Sequence, residues 1–339
     1  NDLILSVDST KLGGYLQTNF NDIVSLFAGR GTATSSSLAY AAHSRDSKAG
    51  DYLVHIDQAA TQGTATGTKD LSISGAGDGT LTITQGNNSA VVAITNDMRL
   101  EDIKNAINAE LETEYTQTIV GANALLNGSP ITSQTVWSEI DGANPLPDGD
   151  IISFTGTTRM GGSVSGSYTI VDNGEQQDTV KDLLSAIEAA FANGVSATID
   201  TSGRISLVDK YSGSSQLALS ITGPAGLDFG LIDVSAGAGD GSQEGRYAMN
   251  ITADDDESKY LVIRNDEYGS GSFTISQDLI ALGLSDGAVI GFDVSGTINE
   301  EDATGSGRAL TGNDGNENTD GLSVSYSGSA DDTDAGYVK

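Results

Sequence analysis

Val180-Lys181-Asp182-Leu183-Leu184-Ser185-Ala186-Ile187-Glu188-Ala189 repeats, apolar for apolar, the pattern of Leu100-Glu101-Asp102-Ile103-Lys104-Asn105-Ala106-Ile107-Asn108-Ala109. In both stretches the apolar residues recur at spacings of three and four, which gathers them on one face of a helix. In the first copy that face is Leu100, Ile103, Ile107 and Leu111. Each helix follows strand-like sequence. Leu81 and Ile83, a turn at Gly86-Asn87-Asn88, then Val92 and Ile94 predict a hairpin ahead of the first. Asp148 to Gly156 predicts the entry strand of the second. After the second helix Val195, Ala197 and Ile199 alternate, Asp200-Thr201-Ser202-Gly203 turns the chain, and Ile205 with Leu207 returns. Leu217, Leu219 and Ile221 add a further strand. The repeated unit is therefore expected to be a small module in which one helix covers one face of an antiparallel sheet. The copies span residues 71–150 and 151–245, and the return strands of the first lie loosely between Tyr115 and Trp137.

Outside the repeats the texture is short strands. Tyr52, Val54 and Ile56 alternate with Leu53, His55 and Asp57, the period of a half-buried strand. A Gly/Ala/Asp/Ser stretch from Asp233 to Gly245 marks a boundary, after which Tyr247, Met249 and Ile251 alternate and Tyr260 and Val262 return. Phe273 and Ile275 form another strand, and residues 289–324 are strand and turn. Residues 29–70 and 246–339 are expected to pair into one discontinuous β domain, with Tyr52–Ile56, Tyr247–Ile251 and Phe292–Val294 in one sheet. Residues 1–28 read as a helical boundary segment. Leu12, Leu16, Phe20, Ile23, Val24 and Phe27 form its apolar stripe and are the interface candidates. The fold class is mainly β with some α (α+β): several small antiparallel-sheet domains and two repeated helix-on-sheet modules.

The charge balance narrows the function. The 339 residues hold 47 acidic and 16 basic side chains, a net charge of −31. Sixteen scattered cations supply no basic face, so nucleic acid is not an expected partner, and an anionic membrane surface is disfavoured for the same reason. No stretch is apolar enough for membrane insertion; Tyr115–Ser138 is uncharged but full of Thr, Asn, Gln, Ser and Gly. There is no cysteine, which removes disulfides, thiolate metal sites and Cys nucleophiles together. The absence of a secretory signal and the opening Asn1 read as an internal fragment. An acidic, Gly/Ser/Thr-rich chain of this kind fits an extracellular protein.

Catalytic motifs are missing. A nucleophilic triad needs a base, and His43 and His55 stand in no strong motif. Gly161-Gly162-Ser163-Val164-Ser165-Gly166 comes nearest to a nucleophile elbow, but both serines read as part of a Gly/Ser loop between strands. No catalytic residue and no cofactor are expected. The one metal candidate is a calcium-like loop, Asp314, Asn316, Asn318 and Asp320 before Gly321. Its twelfth position is Ser327, so the bidentate carboxylate is absent and the loop reads as a solvated turn. Asp254-Asp255-Asp256-Glu257 reads likewise as a solvated acidic turn.

Several segments carry a family resemblance. Leu5-Ser6-Val7-Asp8-Ser9-Thr10-Lys11-Leu12, followed by Ile23-Val24-Ser25-Leu26-Phe27, resembles a strand-to-helix stretch of the flagellar filament cap (FliD, hook-associated protein 2) family. Lys48-Ala49-Gly50-Asp51-Tyr52-Leu53-Val54-His55-Ile56 with Ala59-Ala60-Thr61-Gln62-Gly63 is similar to a strand of the same family. So are Gly291–Asn299, with Glu300 where the family usually has Gly, and Ala303–Gly312 with Gly321–Val324. The repeats resemble modules inserted in flagellins and their associated proteins. The resemblance implies an extracellular, non-enzymatic protein at the filament tip, exported by the flagellar secretion apparatus, which helps flagellin fold and insert and prevents its leakage. It implies flagellin and other copies of the same protein, arranged in a ring, as partners, with hook–filament junction proteins and host glycans as further ones. Two other classes stay open: an extracellular adhesin or glycan-binding surface domain, and a flagellin or hook-junction filament subunit.

Overall fold

Strand Tyr52–Gln58 buries Tyr52, Val54 and Ile56 and leaves the residues between them half-buried or exposed, the pattern of a strand with one face on a core. In the computed structural model this strand sits inside a seven-stranded sheet. The structure describes residues 31–123, 125–126, 128–140, 148–173, 175–224, 227, 229, 231–232, 241–278 and 280–339. The strand order is Leu38–Ala42, Ser323–Tyr326, Ala309–Gly312, Glu301–Ser306, Ser295–Ile298, Tyr52–Gln58 and Thr333–Val338. The pairings along it are antiparallel. Residues just ahead of the first strand also bond the last: Thr34 N–H donates to the Tyr337 carbonyl (2.9 Å) and Lys339 N–H to the Thr32 carbonyl (2.8 Å). The segment leading into one edge strand thereby covers part of the other. Leu38, Val54, Ile56, Val294, Ile298, Leu310, Val324 and Val338 fill its core.

The described chain divides into two compact units. Among the described residues, the first comprises those of 31–83, 93–105 and 250–339, and the second those of 84–92 and 106–249. In the first, Ile251–Asp256 pairs with Tyr260–Asn265, which pairs in turn with Thr64–Thr66. This corrects the expectation that the strand near Tyr247–Ile251 joins the sheet of Tyr52–Ile56. The strand starts at Ile251 and takes its partner across a tight turn, where Glu257 and Ser258 adopt φ of 52° and 56°. Closing a short loop costs less entropy than a long-range pairing, and here it wins.

Two sheets of the second unit share a core. One sheet runs Ser163–Thr169, Ile151–Thr157, Ala218–Thr222, Leu231–Ile232; the other runs Val195–Ile199, Arg204–Ser212, Thr116–Asn123. The helix Val180–Ala190 (α2) places Val180, Leu183, Leu184 and Ile187 in a core with Ile152, Phe154, Ile205, Leu207, Ile119 and Trp137. Its earlier counterpart, Leu100–Glu112 (α1), buries Leu100, Ile103, Ile107 and Leu111. The strand after α1 pairs with Arg204–Ser212, so the sequence that follows the first helix completes the sheet that follows the second.

Candidate functional site

The calcium-like loop connects Ala309–Gly312 to Ser323–Tyr326. Gly315 and Gly321, with φ of 86° and 68°, let it turn tightly. Glu301, on a neighbouring strand, holds it. Its carboxylate accepts the Asn318 N–H (3.0 Å) and side-chain amide (3.0 Å), the Thr319 N–H (2.9 Å) and the Thr319 hydroxyl (2.6 Å). Burial alone would raise the Glu301 pKa, but these donors hold it below the usual carboxylate range. Asn316 donates its amide to the Asp302 carbonyl and the Thr319 hydroxyl, both at 2.9 Å. Asp320 accepts the Gly315 N–H (2.8 Å) on its carboxylate, and its carbonyl accepts the hydroxyls of Ser44 (2.7 Å) and Ser47 (2.6 Å). Asp314 lies on the same loop. The geometry therefore closes the loop through neutral donors around Glu301. Among the described residues, no three carboxylate or imidazole side chains form a metal-binding group.

His55 has charged neighbours that the sequence does not place together. Its Nδ1 lies 2.8 Å from Asp334, and its Nε2 lies 3.6 Å from both Asp57 and Asp332. The hydrogen bond to Asp334 raises the imidazole pKa above 6.5, with the three carboxylates adding to it against partial desolvation. His43 instead meets the Tyr40 hydroxyl. Tyr40 and His43, with Tyr52, Lys48, Leu322 and Lys339, line a cavity of about 260 Å3. Lys48 is paired there with Glu317 (3.5 Å) and Lys339 with Asp51 (3.2 Å).

The acidic run at 254–257 is only partly a solvated turn. Asp254 and Asp255 lie in the strand Ile251–Asp256, and each has a cation: Arg264 is 3.1 Å from Asp254, and Lys104 bonds Asp255. The bond to Lys104 comes first in holding the Asp255 pKa down. The Gly/Ser stretch is corrected too. Ser163 and Ser165 belong to the regular strand Ser163–Thr169, which draws its order from seven uninterrupted pairs with Ile151–Thr157. The interface candidates Leu12, Leu16, Phe20, Ile23, Val24 and Phe27 lie outside the described residues.

Arg246 is a residue that sequence reading passes over. It is 3 % exposed, and its guanidinium donates to the Ser89 carbonyl (2.9 Å), the Glu110 carboxylate (3.0 Å) and the Thr113 carbonyl (3.2 Å), with its carbon 4.9 Å from the Tyr115 ring centroid. It satisfies carbonyls at the C-terminal end of α1, where a cation is favoured. Its lone position in the chain gives no periodic signal; only the Gly245-Arg246 break between strand patterns hints at it.

No protein-family model and no curated protein matches the chain. Among solved structures, it is similar to the D1-D2-D3 domains of the flagellar cap protein FliD from Escherichia coli, at 16 % identity over 97 % of this chain and 61 % of that one, with a TM-score of 0.26. FliD from Helicobacter pylori shares 12 % identity over 88 % of this chain and 97 % of that one (TM-score 0.21). The D2-D3 domains of FliD from Serratia marcescens share 12 % over 79 % and 94 % (TM-score 0.22). This chain thus spans 61 % of the length of the E. coli structure. These three solved structures are of flagellar cap proteins.

Proposed function

We propose that this chain is part of a flagellar filament cap, an extracellular structural protein that acts at the filament tip by binding and confinement rather than by bond chemistry. The observation that carries the reading is where the family-like segments lie. Those around Tyr52–Ile56, Gly296–Ile298, Ala303–Gly312 and Ser323–Val324, scattered over the sequence, supply five of the strands that pair in the seven-stranded sheet. A resemblance confined to one loop would not have this property. On this reading residues 29–70 and 246–339 would form one discontinuous β domain, and the two repeats of 71–150 and 151–245, modules of the flagellin-insert type, would be inserted into its sequence. Flagellin and further copies in a ring would be the partners, and the flagellar secretion apparatus the export route. A chain without disulfides can thread a narrow channel unfolded. The test is deletion of the gene. A cap protein's absence releases unpolymerised flagellin into the medium and leaves filaments short or missing, and re-expression reverses this. Normal filaments and motility in the deletion strain would overturn the reading.

A further inference from the structure

The strand Ser163–Thr169 (Ser-Val-Ser-Gly-Ser-Tyr-Thr) stands at the edge of its sheet and carries no charge, in a chain of net charge −31. Its ladder with Ile151–Thr157 is bracketed by two hydrogen bonds. Thr158 N–H donates to the Gly162 carbonyl (2.8 Å), and Ile170 N–H donates to the Asp150 carbonyl (2.9 Å). Antiparallel bonding alternates by residue, so Val164, Gly166 and Tyr168 turn their main chain toward Ile151–Thr157. Ser163, Ser165, Ser167 and Thr169 turn theirs outward, and among the described residues no hydrogen bond reaches it there. Edge strands are normally blunted by Lys, Pro, a bulge or an inward charge. This one has none of these, and its register runs unbroken.

We propose that this edge is where two copies of the chain associate, strand against antiparallel strand, about a twofold axis at Gly166. The sequence is self-complementary in that register. Ser165 then faces Ser167 of the second copy and Ser163 faces its Thr169, and all four are outward-bonding positions, so the hydrogen bonds can form. Val164 faces the second copy's Tyr168. Both side chains pack on the core yet stay half-buried, and pairing would cover them. Gly166 faces itself at a narrow, non-bonded pair, where main chains come closest. It has to stay glycine in any case, because a Cβ there would stand 2.5 Å from the Phe154 ring. Charge selects a second copy as the occupant. Two molecules this acidic repel less along a strand that itself carries no carboxylate.

The experiment is sedimentation velocity of the 339-residue chain over a concentration series in about 1 M NaCl, where the screening length falls to about 3 Å. The wild type should reach a dimer that stops at two. Ser165→Pro removes an outward N–H that bonds nothing in the monomer, so it should keep the thermal midpoint and weaken the dimer at least about tenfold. With the charge variants compared at about 0.15 M NaCl, where screening reaches only about 8 Å, Ser167→Asp should weaken it as well. Adding Ser165→Lys to Ser167→Asp should restore it, because the register sets the two positions opposite each other. A wild type that stays monomeric at every concentration would overturn the proposal, as would a dimer that the proline leaves untouched. A double variant no stronger than Ser167→Asp would overturn the register.

Discussion

Single residues in this chain take their roles from partners far away in sequence. Glu301 organises a loop that begins beyond the next strand, and Arg246 braces carbonyls some 130 residues earlier, as its separation of 133 from Thr113 shows. His55 is the residue whose behaviour is most open to measurement. Its folded pKa is raised above 6.5 by Asp334 first, then by Asp57 and Asp332. A raised pKa on a cation means that its stabilisation is fully present below the unfolded value and is lost as the pH rises through the folded value. His55→Gln should therefore lower the thermal midpoint at about pH 6, and the gap to wild type should close in mildly alkaline buffer. A gap of the same size at every pH would mean that the imidazole acts by packing alone.

At the scale of elements, the repeat reaches down to a hydrogen bond. Thr179 N–H donates to the Asp182 carboxylate at 2.8 Å, and Arg99 N–H donates to the Asp102 carboxylate at 3.0 Å. These are the same positions of the two copies, each a carboxylate in the first turn that satisfies a free N–H and faces the positive end of the helix. Asp102→Ala and Asp182→Ala should each cost about 1 kcal/mol, read as a lower urea midpoint at unchanged slope. Two unchanged midpoints would show that packing alone fixes these helix ends. Both helices were legible because burying one face imposes a three-four spacing, and Tyr52–Gln58 because burying one face of a strand imposes a spacing of two. Ser163–Thr169 was not legible: an edge strand of Ser, Thr and Gly buries too little to pattern its sequence. The pairing of Thr116–Asn123 with Arg204–Ser212 was hidden for another reason. Alternation says which face is buried, but not which distant strand lies alongside. The candidate sites divide in the same way. The calcium-like loop announced itself by composition, whereas Glu301 and the aspartates around His55 arrive from other strands.

Over the whole molecule, electrostatics reduces to an excess of carboxylates. With 47 acids and 16 bases, only about one acid in three can have its own cation. Exposed pairs such as Lys48–Glu317 and Lys339–Asp51 contribute little, so repulsion among the remaining acids dominates the long-range field. Salt should then raise the thermal midpoint at pH 7, because screening contracts from about 30 Å at 0.01 M to about 8 Å at 0.15 M. Acid should act in two stages. Protonating unpaired carboxylates first relieves repulsion, and the salt effect should vanish near the sequence pI of about 4.1. Below that, a second group titrates. Hydrogen bonds from Lys104 to Asp255, and from Ser270 and Gly307 to Asp293, hold those carboxyls low. Groups with depressed folded pKa values stabilise above the unfolded value, and that contribution is lost as the pH falls through the folded value. Thermal unfolding from about pH 8 to about pH 3, at low and at moderate NaCl, should therefore show a low-salt optimum in mild acid and a fall at the acid end in both salts. A midpoint that drops with salt at pH 7 would put the surface ion pairs, and not the unpaired acids, in control of the fold.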